Sequence, residues 1–120
     1  VCFIGDLGFW YHMAEVETAV RCGINTITII NNNNSGNQAL RSTVRLYDGE
    51  RTEKSDELWV QNKTNFANIA EGMGAMGIRV ETAKEIGPAF KKALASNQPV
   101  VIDVVTDINV AAPLAWELNS

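Results

Sequence analysis

The sequence is poor in cysteine, in basic residues and in long apolar runs, and each shortage excludes a class of protein. Its two cysteines among 120 residues form no recognisable pattern. With no visible signal peptide, they favour reduced thiols and a cytoplasmic location. The formal net charge is −4, and without a basic cluster there is no electrostatic reason to expect nucleic acid as a partner. Unbroken apolar runs such as residues 1–4 are far too short to span a membrane, so no membrane partner is expected.

An initiator methionine and a turn before the first strand are also missing. Val1 already belongs to an apolar run, Val-Cys-Phe-Ile, that is typical of a buried strand. A natural chain rarely begins within a strand. We therefore expect residues 1–120 to be one domain that is truncated at its N-terminal side and belongs to a longer protein.

What the sequence does contain is an alternation of β-branched runs and amphipathic segments. Strands are predicted at 1–4, 25–30, 78–81 and 99–106, and helices at 9–22, 66–76 and about 82–95. This order predicts an α/β fold with a mainly parallel sheet flanked by helices. Gly23 is expected to cap the first helix, and Thr82 and Glu85 form a capping-box pattern before the last.

Two segments fall outside this alternation. Residues 31–62 are predicted to be a long polar loop with a helical turn near 38–44, and loops of this length are usually functional or disordered. Residues 113–116, Pro-Leu-Ala-Trp, carry apolar side chains that we expect to pack on a segment absent from this chain.

Polar residues follow the first two predicted strands. Residues 5–8, Gly-Asp-Leu-Gly, follow the first strand and precede a helix, and residues 31–36 follow the second. If these strands are neighbours, the Asp6 carboxylate and the asparagine amides converge at the sheet edge where α/β proteins bind ligands. One carboxylate with neutral carbonyl oxygens suits Mg²⁺, and the free N–H groups at the start of the 9–22 helix suit an anion. A metal-held diphosphate would fit both.

Each of these two elements also has a purely structural interpretation. A Gly-Asp pair before a helix is often only a turn with an N-cap. A run of asparagines can be a loop that tolerates left-handed backbone conformations. For either element alone the structural interpretation is the stronger one, whereas the two together, flanking one helix, favour the metal site.

The residues that carry these elements resemble a known family. Gly5-Asp6, then residues 15–21 (Glu-Val-Glu-Thr-Ala-Val-Arg), an apolar strand and Asn32-Asn33 resemble the thiamine-diphosphate signature, Gly-Asp-Gly, a spacer and Asn-Asn. That signature marks the diphosphate-binding domain of enzymes such as acetolactate synthase, benzoylformate decarboxylase and pyruvate decarboxylase. Later segments resemble the same domain, namely 66–70, Gly74, Gly77 and 99–104.

The resemblance implies a thiamine-diphosphate-binding fold with thiamine diphosphate and Mg²⁺ as cofactors. Asp6 would bind the metal through its carboxylate, Asn33 through its side-chain oxygen and Ser35 through its backbone carbonyl. With four asparagines the register could slip by one, but the spacing from Asp6 favours Asn32-Asn33 as the family's pair. The implied cofactor-binding residues are Gly5, Asp6, Leu7, Gly8, Asn33, Ser35 and Gly36.

Leu7 departs from the family's motif, whose third residue is most often glycine. A side chain of this size restricts the backbone and could crowd the diphosphate, although Gly8 directly after it restores some freedom. The departure puts the affinity for the cofactor in doubt more than the fold.

The resemblance further implies an enzyme that decarboxylates or ligates a 2-oxo acid or a related acyl donor. In the family, the carboxylate that activates the cofactor comes from a separate pyrimidine-binding domain, usually in the neighbouring subunit. We therefore expect no catalytic residue in this chain, a homodimer or homotetramer, and little activity from the isolated fragment.

Other ionisable residues are expected to be structural or solvated. His12, the only histidine, could face a substrate, but a hydrogen-bonded structural role is favoured. Glu15 is expected to be a structural helix residue. The arginines of the long loop, Arg41, Arg45 and Arg51, are expected to be solvated.

Two other classes of function stay open. One is a different α/β enzyme that binds a nicotinamide nucleotide, although residues 5–8 do not form a G-x-G-x-x-G turn. The other is a non-catalytic homologue or a regulatory binding module, which Leu7 keeps open. Within the family, the sequence does not separate synthase, decarboxylase and lyase.

Overall fold

The computed structural model describes residues 1–110 and contains a four-stranded sheet flanked by helices. The strands are β1 (Cys2–Gly5), β2 (Ile27–Asn32), β3 (Met76–Val80) and β4 (Val100–Val105). The helices are α1 (Asp6–His12), α2 (Ala14–Cys22), α3 (Asn37–Leu46), α4 (Glu53–Trp59), α5 (Phe66–Gly72) and α6 (Ala83–Ala95). The predicted apolar tail at 113–116 lies outside the described residues.

The sheet has the strand order β1-β2-β4-β3, and each neighbouring pair is parallel. The predicted α/β class is therefore confirmed. β1 pairs directly with β2, with Gly5 opposite Asn31. Because the two strands run in parallel and end side by side, the segments that follow them meet at one edge of the sheet.

Both faces of the sheet are covered, as the continuous apolar runs of the strands predict. On one face, Phe9, Val16 and Phe66 of the helices pack against Ile30 and Val101 of the strands. On the other face, α6 packs on strand residues and buries its small side chains. Within residues 1–110, every helix is too short or too polar to cross a membrane.

The first predicted helix, 9–22, is observed as two helices that begin three residues earlier, at Asp6. At the junction, the Val16 N–H donates to the Met13 carbonyl at 3.0 Å, a tight i to i−3 turn. The predicted caps are confirmed. Gly23 ends α2 with a φ of 64°, and at α6 the Glu85 carboxylate accepts the capping-box hydrogen bond of 2.9 Å from the Thr82 N–H.

The long segment 31–62, predicted to be a loop with one helical turn, holds two helices, α3 and α4. They are joined side by side by a hydrogen bond of 2.9 Å from Trp59 Nε1 to Thr43 Oγ1. The segment is therefore largely ordered helix, and α3 begins directly beside the end of β2.

Candidate functional site

A cleft of about 830 Å³ opens at the carboxyl edge of the sheet, where β1 and β2 end. All seven predicted cofactor-binding residues line this cleft, from both segments that follow the strands: Gly5, Asp6, Leu7, Gly8, Asn33, Ser35 and Gly36. The parallel pairing of β1 with β2 brings the two motifs together although they lie far apart in sequence. Their roles as ligands of a metal or a cofactor stay predictions.

Asp6 is the first residue of α1, and its side chain is only 2% exposed. One carboxylate oxygen accepts a hydrogen bond of 2.7 Å from the Leu7 N–H, and the other accepts one of 2.9 Å from the Ser35 N–H. Burial raises the pKa of Asp6, and these backbone hydrogen bonds oppose the rise. Within residues 1–110, no cationic side chain forms a salt bridge with this carboxylate. A buried acid in this situation is suited to a bound cation.

Two other polar atoms in the cleft, Asn33 Oδ1 and Ser35 Oγ, are buried and have no hydrogen-bond partner among residues 1–110. A buried polar group without a partner costs about 1–3 kcal/mol, so its presence points to a ligand or an ion that satisfies it. An amide oxygen that lines the same cleft as a buried carboxylate is a ligand of the kind that Mg²⁺ prefers. The residues present therefore fit a magnesium ion.

The described residues contain no cluster of three or more histidine, cysteine, aspartate or glutamate side chains that could hold a metal. Among the described residues that line the cleft, Asp6 is the one carboxylate, and the other candidate ligand atoms are neutral oxygens. Mg²⁺ commonly retains water and shares its remaining ligand positions with the phosphates of a substrate, so a small protein ligand set is consistent with it.

The four consecutive asparagines occupy four different environments. Asn31 accepts a hydrogen bond from Thr106 at the end of β4. Asn32 is fully buried in the core, and Asn33 lines the cleft. Asn34 has a φ of 55° and accepts a hydrogen bond of 2.9 Å from the Thr64 N–H. Only Asn33 of the four combines a place in the cleft with an unpartnered oxygen.

Leu7 has ordinary helical geometry, because it lies in α1 and is not among the described residues with positive φ. The position therefore does not require a glycine for its backbone. Its side chain packs on Gly36, where an added Cβ would lie 2.9 Å from Leu7 Cδ2. Leu7 also lines a neighbouring cleft with Trp10 and Tyr11, so it forms the wall between the two.

The far wall of the main cleft, which α3 and Trp59 provide, was not predicted from the sequence. The first residues of α3, Asn37, Gln38 and Ala39, line the cleft. Among the described residues, no side chain caps this helix, so its first N–H groups are available to an anion. Because this segment is rich in polar residues, the sequence predicted a loop and not the helix. Leu40 and the side chains one helical turn after it nevertheless follow a helical spacing.

Several residues that were considered for roles in the site lie elsewhere. His12 and Glu15 line a separate cavity of about 200 Å³ beside β1 and α2. Arg41, Arg45 and Arg51 are exposed and do not line the main cleft, and Arg51 forms an ion pair with Asp56.

Comparisons with known proteins agree with this geometry. Residues 1–104 match the family model described as thiamine pyrophosphate enzyme, C-terminal TPP binding domain, where TPP is another name for thiamine diphosphate. Among relatives, YdaP of Bacillus subtilis, provisionally named a thiamine pyrophosphate-containing protein, is 36% identical over 88% of this chain and 17% of its own length. Acetolactate synthase of Bacillus subtilis is 30% identical over 90% of this chain and 19% of its own.

The structure is also similar to that of the thiamine diphosphate-dependent 4-hydroxybenzoylformate decarboxylase of Rhodococcus jostii RHA1. The TM-score is 0.74 and the identity 31%, over 88% of this chain and 19% of that one. The chain thus spans about a fifth of the length of the relatives that it matches.

Proposed function

This chain belongs to the family of thiamine pyrophosphate enzymes and matches their C-terminal TPP-binding domain, and from that premise we propose that it binds the diphosphate group of thiamine diphosphate through Mg²⁺. The predicted resemblance is confirmed for the family, which leaves the nicotinamide alternative without support. The observation that carries the proposal is the combination, in one cleft, of the buried Asp6 carboxylate and the unpartnered Asn33 oxygen.

Each proposed ligand residue has an oxygen atom that can coordinate the metal. Each Asp6 oxygen accepts one backbone hydrogen bond and so keeps a further lone pair for a metal. Asn33 contributes its side-chain oxygen, and Ser35 its backbone carbonyl. The unpartnered Ser35 hydroxyl and the first N–H groups of α3 can donate hydrogen bonds to diphosphate oxygens.

The bound cofactor supplies a carbon nucleophile that attacks a carbonyl group. We place this chain in an enzyme that decarboxylates or ligates a 2-oxo acid or a related acyl donor, because it is similar to an acetolactate synthase and to a 4-hydroxybenzoylformate decarboxylase. The role of this chain is to anchor the cofactor, so that the reacting centre is held in a fixed position. We further propose that this chain works together with a pyrimidine-binding domain and with a second subunit in a dimer or tetramer. We also propose that the protein is located in the cytoplasm.

Calorimetric titration of the protein that carries this chain tests the metal-dependent binding. We expect thiamine diphosphate to bind in the presence of Mg²⁺ and to bind much more weakly when the metal is chelated. Asp6→Ala should abolish the metal-dependent part, since it removes the only acidic ligand of the proposed set. Glu71→Ala is the matched control, because it removes the same charge from an exposed position of α5.

Three results would contradict the proposal: binding of NAD instead, binding that is indifferent to Mg²⁺, or no binding of either compound. The last result would support the non-catalytic homologue. If binding is as expected, release of carbon dioxide from a panel of 2-oxo acids tests the reaction, and absence of turnover on all of them would refute the proposed substrate class.

A further inference from the structure

A buried carboxylate outside the cleft, Asp103, lies at the centre of a hydrogen-bond network. It belongs to β4 and is fully buried. One oxygen accepts a hydrogen bond of 2.8 Å from Asn32 Nδ2. The other accepts bonds from the Phe66 N–H at 2.9 Å and from Arg79 Nη1 at 2.6 Å. Removing a charge from water is costly, and three donors with one cationic partner offset this cost.

This network continues into the segment that carries the proposed metal ligands. Asn32 Nδ2 also donates to the Thr64 carbonyl at 3.0 Å, and Arg79 donates to the same carbonyl at 3.3 Å. Asn32 Oδ1 accepts from the Asn34 N–H at 3.2 Å, and Asn34 Oδ1 accepts from the Thr64 N–H. Asp103, Asn32, Asn34, Thr64 and Arg79 therefore form a closed ring, hereafter the Asp103 ring.

The charge on Asp103 decides how Asn32 is oriented. An ionised carboxylate only accepts hydrogen bonds, and the Thr64 carbonyl also only accepts. Both therefore require the amide nitrogen of Asn32, which leaves its oxygen for the Asn34 N–H. An uncharged partner at position 103 could donate as well, and the Asn32 amide could then turn over and lose the bond to Asn34.

The Asp103 ring holds the residues on both sides of Asn33. Asn32 points into the core, and Asn34 is fixed in a left-handed conformation. Asn33, between them, is thereby directed into the cleft, as successive side chains at a strand end alternate. Ser35 follows directly and donates its N–H to Asp6.

We propose that Asp103 is a positioning residue for the metal site: through the Asp103 ring it fixes residues 32–35 so that Asn33 and Ser35 meet Asp6 with the geometry that Mg²⁺ requires. This inference rests on the proposed function. Nothing in it requires Asp103 to touch the metal or the cofactor.

The test compares Asp103→Asn with Val101→Ala in the protein that carries this chain. Val101 lies two residues earlier on β4 and is equally buried, but it is not part of the Asp103 ring, so it reports on a loss of stability alone. Calorimetry with thiamine diphosphate present gives the affinity for Mg²⁺ and, separately, for Ca²⁺. Thermal unfolding without metal gives the stability of each variant.

We expect Asp103→Asn to weaken Mg²⁺ binding by about 10-fold or more, as is typical when a group that orients a metal ligand is lost. The affinity for Ca²⁺ should fall less, because Ca²⁺ tolerates irregular geometry whereas Mg²⁺ demands a near-ideal octahedron. Val101→Ala should change neither affinity by more than about 2-fold. A milder variant, Asn34→Gly, keeps the positive φ but loses the bond to Thr64. It should likewise lower the affinity for Mg²⁺ more than the affinity for Ca²⁺. It therefore keeps the test available if Asp103→Asn does not fold.

An unchanged ratio of Mg²⁺ to Ca²⁺ affinity in the Asp103→Asn and Asn34→Gly proteins would overturn the inference, as would an equal change in Val101→Ala. These outcomes leave the proposed function intact if the unmodified protein binds the cofactor with Mg²⁺. If the unmodified protein shows no metal-dependent binding, the proposed function and this inference both fail.

Discussion

Asp6 is buried more deeply than an unpaired carboxylate normally is. Because burial raises its pKa, the fold favours the neutral form over the charged form. The charge is nevertheless what a metal needs. The charge of Asp6 is therefore expected to oppose stability in the metal-free protein, partly offset by its two backbone hydrogen bonds, and to favour stability once a cation is bound.

Replacing Asp6 by asparagine separates the two effects. Asp6→Asn keeps the size of the side chain and removes the charge, but its amide nitrogen replaces one of the two oxygens that accept a backbone N–H, so the free energy of unfolding without metal should fall by about 1–3 kcal/mol. With Mg²⁺ and thiamine diphosphate, the unmodified protein should gain about 2–3 kcal/mol at ligand concentrations near 100 times the dissociation constant, and the variant should gain almost nothing. Denaturant titrations with and without ligands measure both quantities. A variant that gains as much stability from Mg²⁺ and thiamine diphosphate as the unmodified protein does would contradict this expectation.

The contact between Leu7 and Gly36 makes a second prediction at this scale. A Cβ at position 36 would lie 2.9 Å from Leu7 Cδ2 and 3.1 Å from Trp59 Cε3. Gly36→Ala should therefore lower the free energy of unfolding by about 1 kcal/mol or more. The double variant with Leu7→Ala should recover part of this loss, since it removes one of the two contacts. A double-mutant cycle measures the coupling, and purely additive losses would show that the two residues do not compete for space.

The sequence was informative about which residues gather at the site and silent about what each asparagine does. Asp6 and Asn33 follow strands that a parallel sheet places side by side, so their meeting could be predicted. The contrast between Asn32 in the core and Asn33 in the cleft depends on where β2 ends and on Asp103, 71 positions away. Long-range partners of this kind leave no local pattern.

Among the secondary-structure elements, those with apolar periodicity or a defined cap were predictable and the others were not. The capping box of α6 and the glycine after α2 are local signals, and both were found. α4 was missed because its capping box uses Ser55 instead of glutamate or glutamine, and because most of its side chains face solvent. The position of α4 is set by its packing on α3, and helix propensity contains no information about such packing.

The capping box of α6 predicts a dependence on pH. Hydrogen bonds from the N–H groups of Thr82 and Glu81 lower the pKa of Glu85. An acid whose pKa is lowered on folding stabilises the fold above its unfolded pKa, and this contribution is lost as the pH falls through the folded value. The unmodified protein should therefore have a higher Tm than Glu85→Gln near neutral pH, and the difference should shrink in acid. A difference in Tm that is constant with pH would contradict this reading of the cap.

The close contact between β3 and α5 depends on a glycine, Gly77, which has no side chain. A Cβ at Gly77 would lie 2.2 Å from the Ala67 carbonyl oxygen, and backbone atoms cannot move aside as a side chain can. Gly77→Ala should thus lower the free energy of unfolding by about 3 kcal/mol. Gly72→Ala is the matched control, because a Cβ there meets nothing within 4 Å, and its stability should be unchanged or slightly higher. Equal stabilities of the two variants would show that α5 shifts to accommodate the methyl group.

Within residues 1–110, the candidate site and the structural support lie at opposite edges of the sheet. The cleft lies at the carboxyl edge, where β1 and β2 end. At the opposite edge, the turns before β2 and β4 are tied together by a hydrogen bond of 2.8 Å from Asn25 Nδ2 to Asn97 Oδ1. The parallel class of the sheet was predictable, but its strand order was not, because the same alternation of elements allows the third strand to add at either side.

This division predicts where the cofactor should slow hydrogen exchange. With Mg²⁺ and thiamine diphosphate, backbone amides of residues 7–8 and 35–39 should become more protected, because these segments line the cleft on both sides. Amides of residues 23–26 and 96–98, at the opposite edge, should exchange at the same rate with and without ligands, and they serve as the control within one experiment. Exchange followed by mass spectrometry, with Mg²⁺ alone as a further arm, separates the effect of the metal from that of the cofactor. Protection spread evenly over both edges would mean that the ligands stabilise the fold globally, and protection confined to 23–26 and 96–98 would place the binding site at the opposite edge.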